Sequence, residues 1–105
     1  MATTQYYVDP AIAGNSGTGT IGDPFGDLQY ALDTVGAGVG RNATDGDQFN
    51  IKAGTAEILA APLTLATYGT PTAAGPLILR GYTAAANDGG VGEIDCGGFT
   101  MWAND

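Results

Sequence analysis

Short apolar segments recur through the second half of the chain at a nearly constant step. Their central residues, Ile51, Leu65, Leu79 and Ile94, stand 14, 14 and 15 positions apart. Each segment alternates in the manner of a half-buried strand. Gln48 to Ala53 places Phe49, Ile51 and Ala53 on one face and Gln48, Asn50 and Lys52 on the other. Leu63 and Leu65 follow Pro62, Leu77 and Leu79 follow Pro76, and Ile94 and Cys96 continue the series. Two pieces match closely, Ala-Pro-Leu-Thr-Leu at 61–65 and Gly-Pro-Leu-Ile-Leu at 75–79. Short strands at steady spacing fit a sandwich or a solenoid. Turn chemistry separates the two. Asp45-Gly46 precedes the first clear strand of the series and Asp88-Gly89-Gly90 sits in a long loop, so no Asx-Gly pair joins two strands tightly. Strands joined by travelling loops, as in a coil, are favoured.

The first 40 residues read differently. Gln5-Tyr6-Tyr7-Val8 is aromatic and β-branched, ends at Asp9-Pro10, and leads into the turn-forming run Gly14 to Thr20, read as a flexible loop. Asp23 is the expected N-cap of a helix over 24–35, with Pro24 at its first position and Gly36 as its stop. Phe25, Leu28, Ala31, Leu32 and Val35 follow helical spacing, with Asp27, Gln29 and Asp33 outward.

Composition narrows the chemistry. With 105 residues the chain is expected to be one domain, 1–105, in which 1–40 supplies a strand, a Gly-rich loop and a helix, and 41–105 the repeated strands. A net charge of −8 with only Arg41, Lys52 and Arg80 as cations disfavours nucleic acid. No signal-like or bilayer-length apolar run is present, which predicts a soluble product of the cytoplasm and no membrane partner. The absence of His and a lone Cys96 remove histidine bases, Cys–His nucleophiles and an intrachain disulfide, and Cys96 reads as a small buried hydrophobe. Two acidic pairs lie close in sequence, Asp45 with Asp47 and Asp23 with Asp27. Turn and cap roles explain all four, so no catalytic residue and no enzyme activity are expected. Ca²⁺ is the one cofactor left open, with Asp45 and Asp47 as its weak candidate ligands. The five tyrosines are spread along the chain and read as packing and rim positions.

The ordered set Tyr6-Tyr7-Val8-Asp9-Pro10, Gly17-Thr18-Gly19-Thr20, Asp23-Pro24-Phe25, Leu28 to Leu32, Gly46 to Thr55, Gly75 to Tyr82 and Glu93 to Gly97 resembles the start of a right-handed parallel β-helix of the pectate-lyase-like superfamily. It is similar in particular to short β-helix proteins of phages and prophages. The resemblance implies a mainly β fold with an N-terminal strand and an amphipathic capping helix across one open end of two to three coils. The other end needs a cover, and Phe99, Met101 and Trp102 are the candidate interface residues.

The function this implies is a non-enzymatic structural protein of a phage virion. It would be a capsid decoration or tail-associated subunit, made in the host cytoplasm and located in the particle. Its expected partners are copies of itself, as in a trimer, and a major capsid or tail protein. The alternative is a carbohydrate-binding or carbohydrate-cleaving β-helix module of a tail spike or polysaccharide lyase, with a glycan as partner.

Overall fold

Residues 43 and then 30 positions apart lie side by side in this chain, and that register organises the fold. A computed structural model describes residues 3–12, 14–59 and 61–96. Phe99, Met101 and Trp102 therefore lie outside the described residues. The element order is β1 (Thr4–Val8), α1 (Leu28–Ala37), β2 (Asp47–Lys52), β3 (Glu57–Ile58), β4 (Leu77–Tyr82) and β5 (Ile94–Asp95). One sheet has the order β1-β2-β4 and the other pairs β3 with β5. Every one of these pairings is parallel, with Thr4 beside Asp47, Asp47 beside Leu77, and Glu57 beside Ile94. The described architecture is thus mainly β, with one helix and two parallel sheets.

The register also explains the apolar spacing. Phe49 of β2 stands beside Leu79 of β4, 30 positions on, so the 28 residues from Ile51 to Leu79 lead back to the same sheet two residues out of register. Ile94 falls in the other sheet. The segment around Leu65, expected as a strand, lies outside all five strands. Leu63 makes only a single β-bridge, and the next residue is engaged by a side chain: Thr64 N–H donates to Gln29 Oε1 at 2.8 Å, and Gln29 Nε2 donates to Thr64 O at 3.0 Å. Leu63 remains 1 % exposed, so the segment still fills the core.

Alternation aims Tyr6 and Val8, Phe49 and Ile51, and Leu77 and Leu79 inward. Tyr6 stacks on Phe49 with ring centroids 5.1 Å apart, and Tyr68 meets the edge of Phe49 at 6.0 Å. Leu28, Ala31, Leu32 and Val35 close this core from α1. Full burial of Leu28 and Leu32 stabilises by roughly 1.5–3 kcal/mol each.

The helix starts later than the sequence suggests. Its N-cap is Asp27, in extended conformation, whose side chain accepts from Tyr30 N–H at 2.9 Å. The Asp23-Pro24-Phe25 segment is drawn into the sheet: Phe25 N–H donates to Tyr7 O at 2.9 Å, and Asp9 N–H to Phe25 O at 2.8 Å. The preceding Gly-rich loop is pinned as well, since Tyr7 N–H donates to Gly19 O and both Thr18 and Gly19 N–H donate to Asp23 O. Segment 18–25 thereby covers the outer edge of β1, which is how an edge strand is kept from pairing elsewhere.

Gly36 does not stop the helix; α1 runs through it to Ala37, with Gly38 as C-cap. Its role is close approach. A Cβ on Gly36 would stand 2.5 Å from Thr67 O and 2.6 Å from Tyr68 Cα, both backbone atoms. In an open helix Gly→Ala stabilises by about 0.5–1 kcal/mol. Here G36A is expected to destabilise by about 1–3 kcal/mol, because the 67–68 backbone must move. Urea unfolding of G36A with a midpoint at or above that of the parent chain would contradict this packing.

Candidate functional site

The face of β1-β2-β4 turned away from the core carries Gln5, Tyr7, Gln48, Asn50, Lys52, Arg80 and Tyr82. Alternation predicts a solvated polar face for β2, yet Gln48 is 5 % and Asn50 0 % exposed. Two buried amides need partners, and the parallel register brings them within reach. Asn50 Nδ2 donates to Gln5 Oε1 and to Tyr6 O, each at 2.9 Å. Gln48 Nε2 donates to Asn50 Oδ1 at 2.7 Å and to Asn87 Oδ1 at 3.1 Å. Arg80 Nη1 reaches the same Asn87 oxygen at 3.2 Å.

Asn87 belongs to the loop that covers this face, and its φ of 63° is left-handed, a conformation Asn tolerates. The loop is held by the next residue. Asp88 accepts N–H bonds from Thr83, Ala84, Ala85 and Gly90 at 2.7 to 3.1 Å. Those bonds hold its carboxyl well below the usual carboxylate range. Beside the loop, Tyr7 meets Tyr82 edge-on at 5.3 Å, and burial, then Asp9, raise the Tyr82 hydroxyl above its ordinary pKa. Lys52 pairs with Asp9 at 3.9 Å. A firm amide layer therefore underlies exposed Gln5, Lys52 and Arg80, two of them cations in a chain that has only three.

The candidate Ca²⁺ ligands are not brought together as a cation loop. Asp47 is 0 % exposed; its Oδ2 accepts from Asn42 N–H at 3.0 Å and from the Tyr68 hydroxyl. Its Oδ1 is buried with no protein partner among the described residues. Asp45 lies in the turn before β2, where its carbonyl accepts from Thr3 Oγ1. Among the described residues no three His, Cys, Asp or Glu side chains gather around a common point. Burial, followed by the bond to Asp47, raises the Tyr68 hydroxyl well above its ordinary pKa, so it stays a donor to the carboxylate.

A carboxyl pair that sequence distance conceals sits at the start of α1. Glu57 of β3 is 4 % exposed, and its Oε1 accepts from Leu28 N–H at 3.1 Å. Its carboxyl also hydrogen-bonds the N-cap residue Asp27; burial first, then that bond and the Asp27 charge, push Glu57 up to about 7. Asp27 lines a shallow cleft of about 250 Å³ with Gln29, Leu59, Pro62 and Leu63. The sequence signal is a lone Glu in the run Ala56-Glu57-Ile58-Leu59, where a charge on a buried strand demands a partner.

Asp23 is not part of this pair; it bridges to Thr20 and accepts from Thr18 Oγ1 at 3.0 Å. Cys96 is half-buried and packs against the core. No helix among the described residues is long and apolar enough to cross a membrane. The Tyr68–Asp47 contact yields a direct test. Y68F is expected to destabilise by about 2–3 kcal/mol in guanidinium unfolding, because it strips a buried carboxylate of one of its two donors. In a D47N background the same change should cost clearly less; equal costs in both backgrounds would refute the coupling.

No protein-family model matches the sequence, and no curated protein matches it. A solved structure described as a glycoside hydrolase superposes on 88 % of this chain with a TM-score of 0.67 at 15 % identity. The chain spans 15 % of the length of that structure. At that identity the likeness is one of fold.

Proposed function

We propose that the chain is the capped N-terminal part of a right-handed parallel β-helix that binds carbohydrate on the outer face of β1-β2-β4. The polar layer on that face is the observation that carries the reading. Polar groups fixed before binding lose little freedom on taking up a ligand, and exposed Gln5, Asn87 and Arg80 are held in this way by the buried Asn50 and Gln48 amides beneath them. Two further points support it. Parallel crossovers are right-handed in about 98 % of cases, and here one set of parallel strands returns after 43 and then 30 residues beside a second parallel pair. The fold is also shared with part of a glycoside hydrolase. In this reading α1 closes the first coil, its polar side outward.

The test is glycan binding to the purified chain, by array and then by titration calorimetry. R80A is expected to weaken binding about tenfold, the loss of one charge-assisted hydrogen bond, with unchanged circular dichroism. Absence of binding to any glycan, or identical affinity in R80A, would sink the proposal.

A second reading, a structural subunit of a phage particle, is favoured by an asymmetry in the core. Val8, Phe49 and Ile51 are at most 3 % exposed, whereas Leu77, Leu79 and Ile94 on the last strands described, and Cys96 just after them, are only partly buried. That end of the core suits a covering coil, from a copy of this chain or from a capsid or tail protein. A trimeric or other oligomeric mass by sedimentation is expected; a stable monomer with no affinity for virions would remove this reading.

A further inference from the structure

The inward face of β1 and β2 changes character at its first layer. Alternation turns Thr4, Tyr6 and Val8 to the same side as Asp47, Phe49 and Ile51, and the register sets Thr4 beside Asp47, Tyr6 beside Phe49 and Val8 beside Ile51. The second and third layers are aromatic and aliphatic. The first holds a hydroxyl and a carboxyl, and that carboxyl, of Asp47, is 0 % exposed.

The two oxygens of Asp47 are treated differently. Oδ2 accepts from Asn42 N–H at 3.0 Å and from the Tyr68 hydroxyl. Oδ1 is enclosed, and no protein group among the described residues donates to it. Buried oxygens in folded proteins are met by a protein donor or by an enclosed water. Arg41 does not serve: its Nη1 donates to Gly75 O at 3.3 Å, and among the described residues it forms no ion pair with Asp47.

A free donor stands one strand away. Thr4 Oγ1 accepts from Asn42 Nδ2 at 3.1 Å, and its own hydrogen has no acceptor among the described residues. Neighbouring strands lie about 4.8 Å apart. Oxygens projecting the same way from Thr4 and Asp47 are then too far apart for a direct bond, yet one water with bonds of about 2.8 Å to each spans that gap. Tyr6 supplies a third group. Its ring stacks on Phe49, and its phenol lies near enough to Asp47 that, after burial, the carboxyl charge raises it above its ordinary pKa.

We propose that one enclosed water molecule bridges Asp47 Oδ1 to the Thr4 hydroxyl, with the Tyr6 phenol as its further partner, and completes the polar first layer between β1 and β2. The water donates to Oδ1 and accepts from the Thr4 hydroxyl. A hard cation such as Ca²⁺ fits less well, since it takes roughly six to eight oxygen ligands and no cluster of carboxyls stands beside Oδ1 among the described residues. The site lies on the inner side of the sheet and is independent of the carbohydrate reading, which concerns the outer face.

The test joins a crystal structure of the parent chain to magnetic relaxation dispersion of the water oxygen nucleus in solution, which counts slowly exchanging waters, on the parent, T4V and T4S. Val keeps the shape of Thr and suits a strand but has no hydroxyl, whereas Ser retains it. A solvent peak within hydrogen-bond distance of both Asp47 Oδ1 and Thr4 Oγ1 is expected, with one slowly exchanging water lost in T4V and none in T4S. A direct side-chain bond to Oδ1 without a solvent peak would overturn the bridge, as would an unchanged water count in a folded T4V. An anomalous peak at the site in crystals soaked with thallous ion would overturn it as well, because the occupant would then be a cation. Should T4V not fold, the parent crystal alone decides.

Discussion

Parallel pairing in strict register is the constraint on which the remaining features depend. Once Thr4 stands beside Asp47 and Asp47 beside Leu77, every inward side chain of one strand lies against an inward side chain of the next, and every outward one against an outward one. On the inner face this stacks Tyr6 on Phe49 and sets Phe49 beside Leu79. On the outer face it sets Gln5 beside Gln48 and Asn50 beside Arg80, close enough for amides to bond sideways along the sheet. A slip of one residue would send Phe49 and Ile51 into the polar layer and Gln48 and Asn50 into the aromatic stack, so both faces enforce the same alignment.

The same register explains how a polar layer tolerates burial. An Asn in an apolar environment costs several kcal/mol if its amide is unbonded. Asn50 escapes that penalty because both its oxygen and its nitrogen find partners: Gln48 donates to it, and it donates to Gln5 and Tyr6. Asp47 is the less complete case. It opens β2 directly after a turn, with one oxygen satisfied by Asn42 and Tyr68 and the other enclosed. The neighbouring Tyr68 therefore matters more than its place outside every strand suggests.

What is legible in the sequence divides along this line. Local signals are sound: the strand at Tyr6 to Val8, the strand beginning at Gln48, and the apolar stripe Leu28, Ala31, Leu32 and Val35 all appear where spacing puts them. The departures arise where a distant segment competes for a local group. Asp23-Pro24 has the chemistry of a helix start, but Tyr7 and Asp9 take the Phe25 backbone first and move the cap to Asp27. Gly36 has the chemistry of a helix stop, but the backbone of Thr67 and Tyr68 needs the space where its Cβ would be. Leu63 to Leu65 reads as a strand, but Gln29 occupies the Thr64 amide and carbonyl. The carboxyl pair is hidden for the same reason, since Asp27 and Glu57 are far apart in sequence and only the fold joins them.

That pair also bears on what a carbohydrate-binding face of this kind does. Cleavage of a glycosidic bond by two carboxyls requires them to flank the sugar, about 5–5.5 Å apart for retention and about 6.5–9.5 Å for inversion. Asp27 and Glu57 are both bound to backbone N–H groups of one helical turn. Separating them far enough to admit a sugar ring would break the cap that orients them. The raised pKa of Glu57, which elsewhere marks a general acid, here records burial beside a second carboxyl. In the proposed carbohydrate reading the polar face of β1-β2-β4, assembled from separate strands with its cations exposed, is the surface that would meet a ligand, whereas the two carboxyls hold backbone N–H groups at the start of α1.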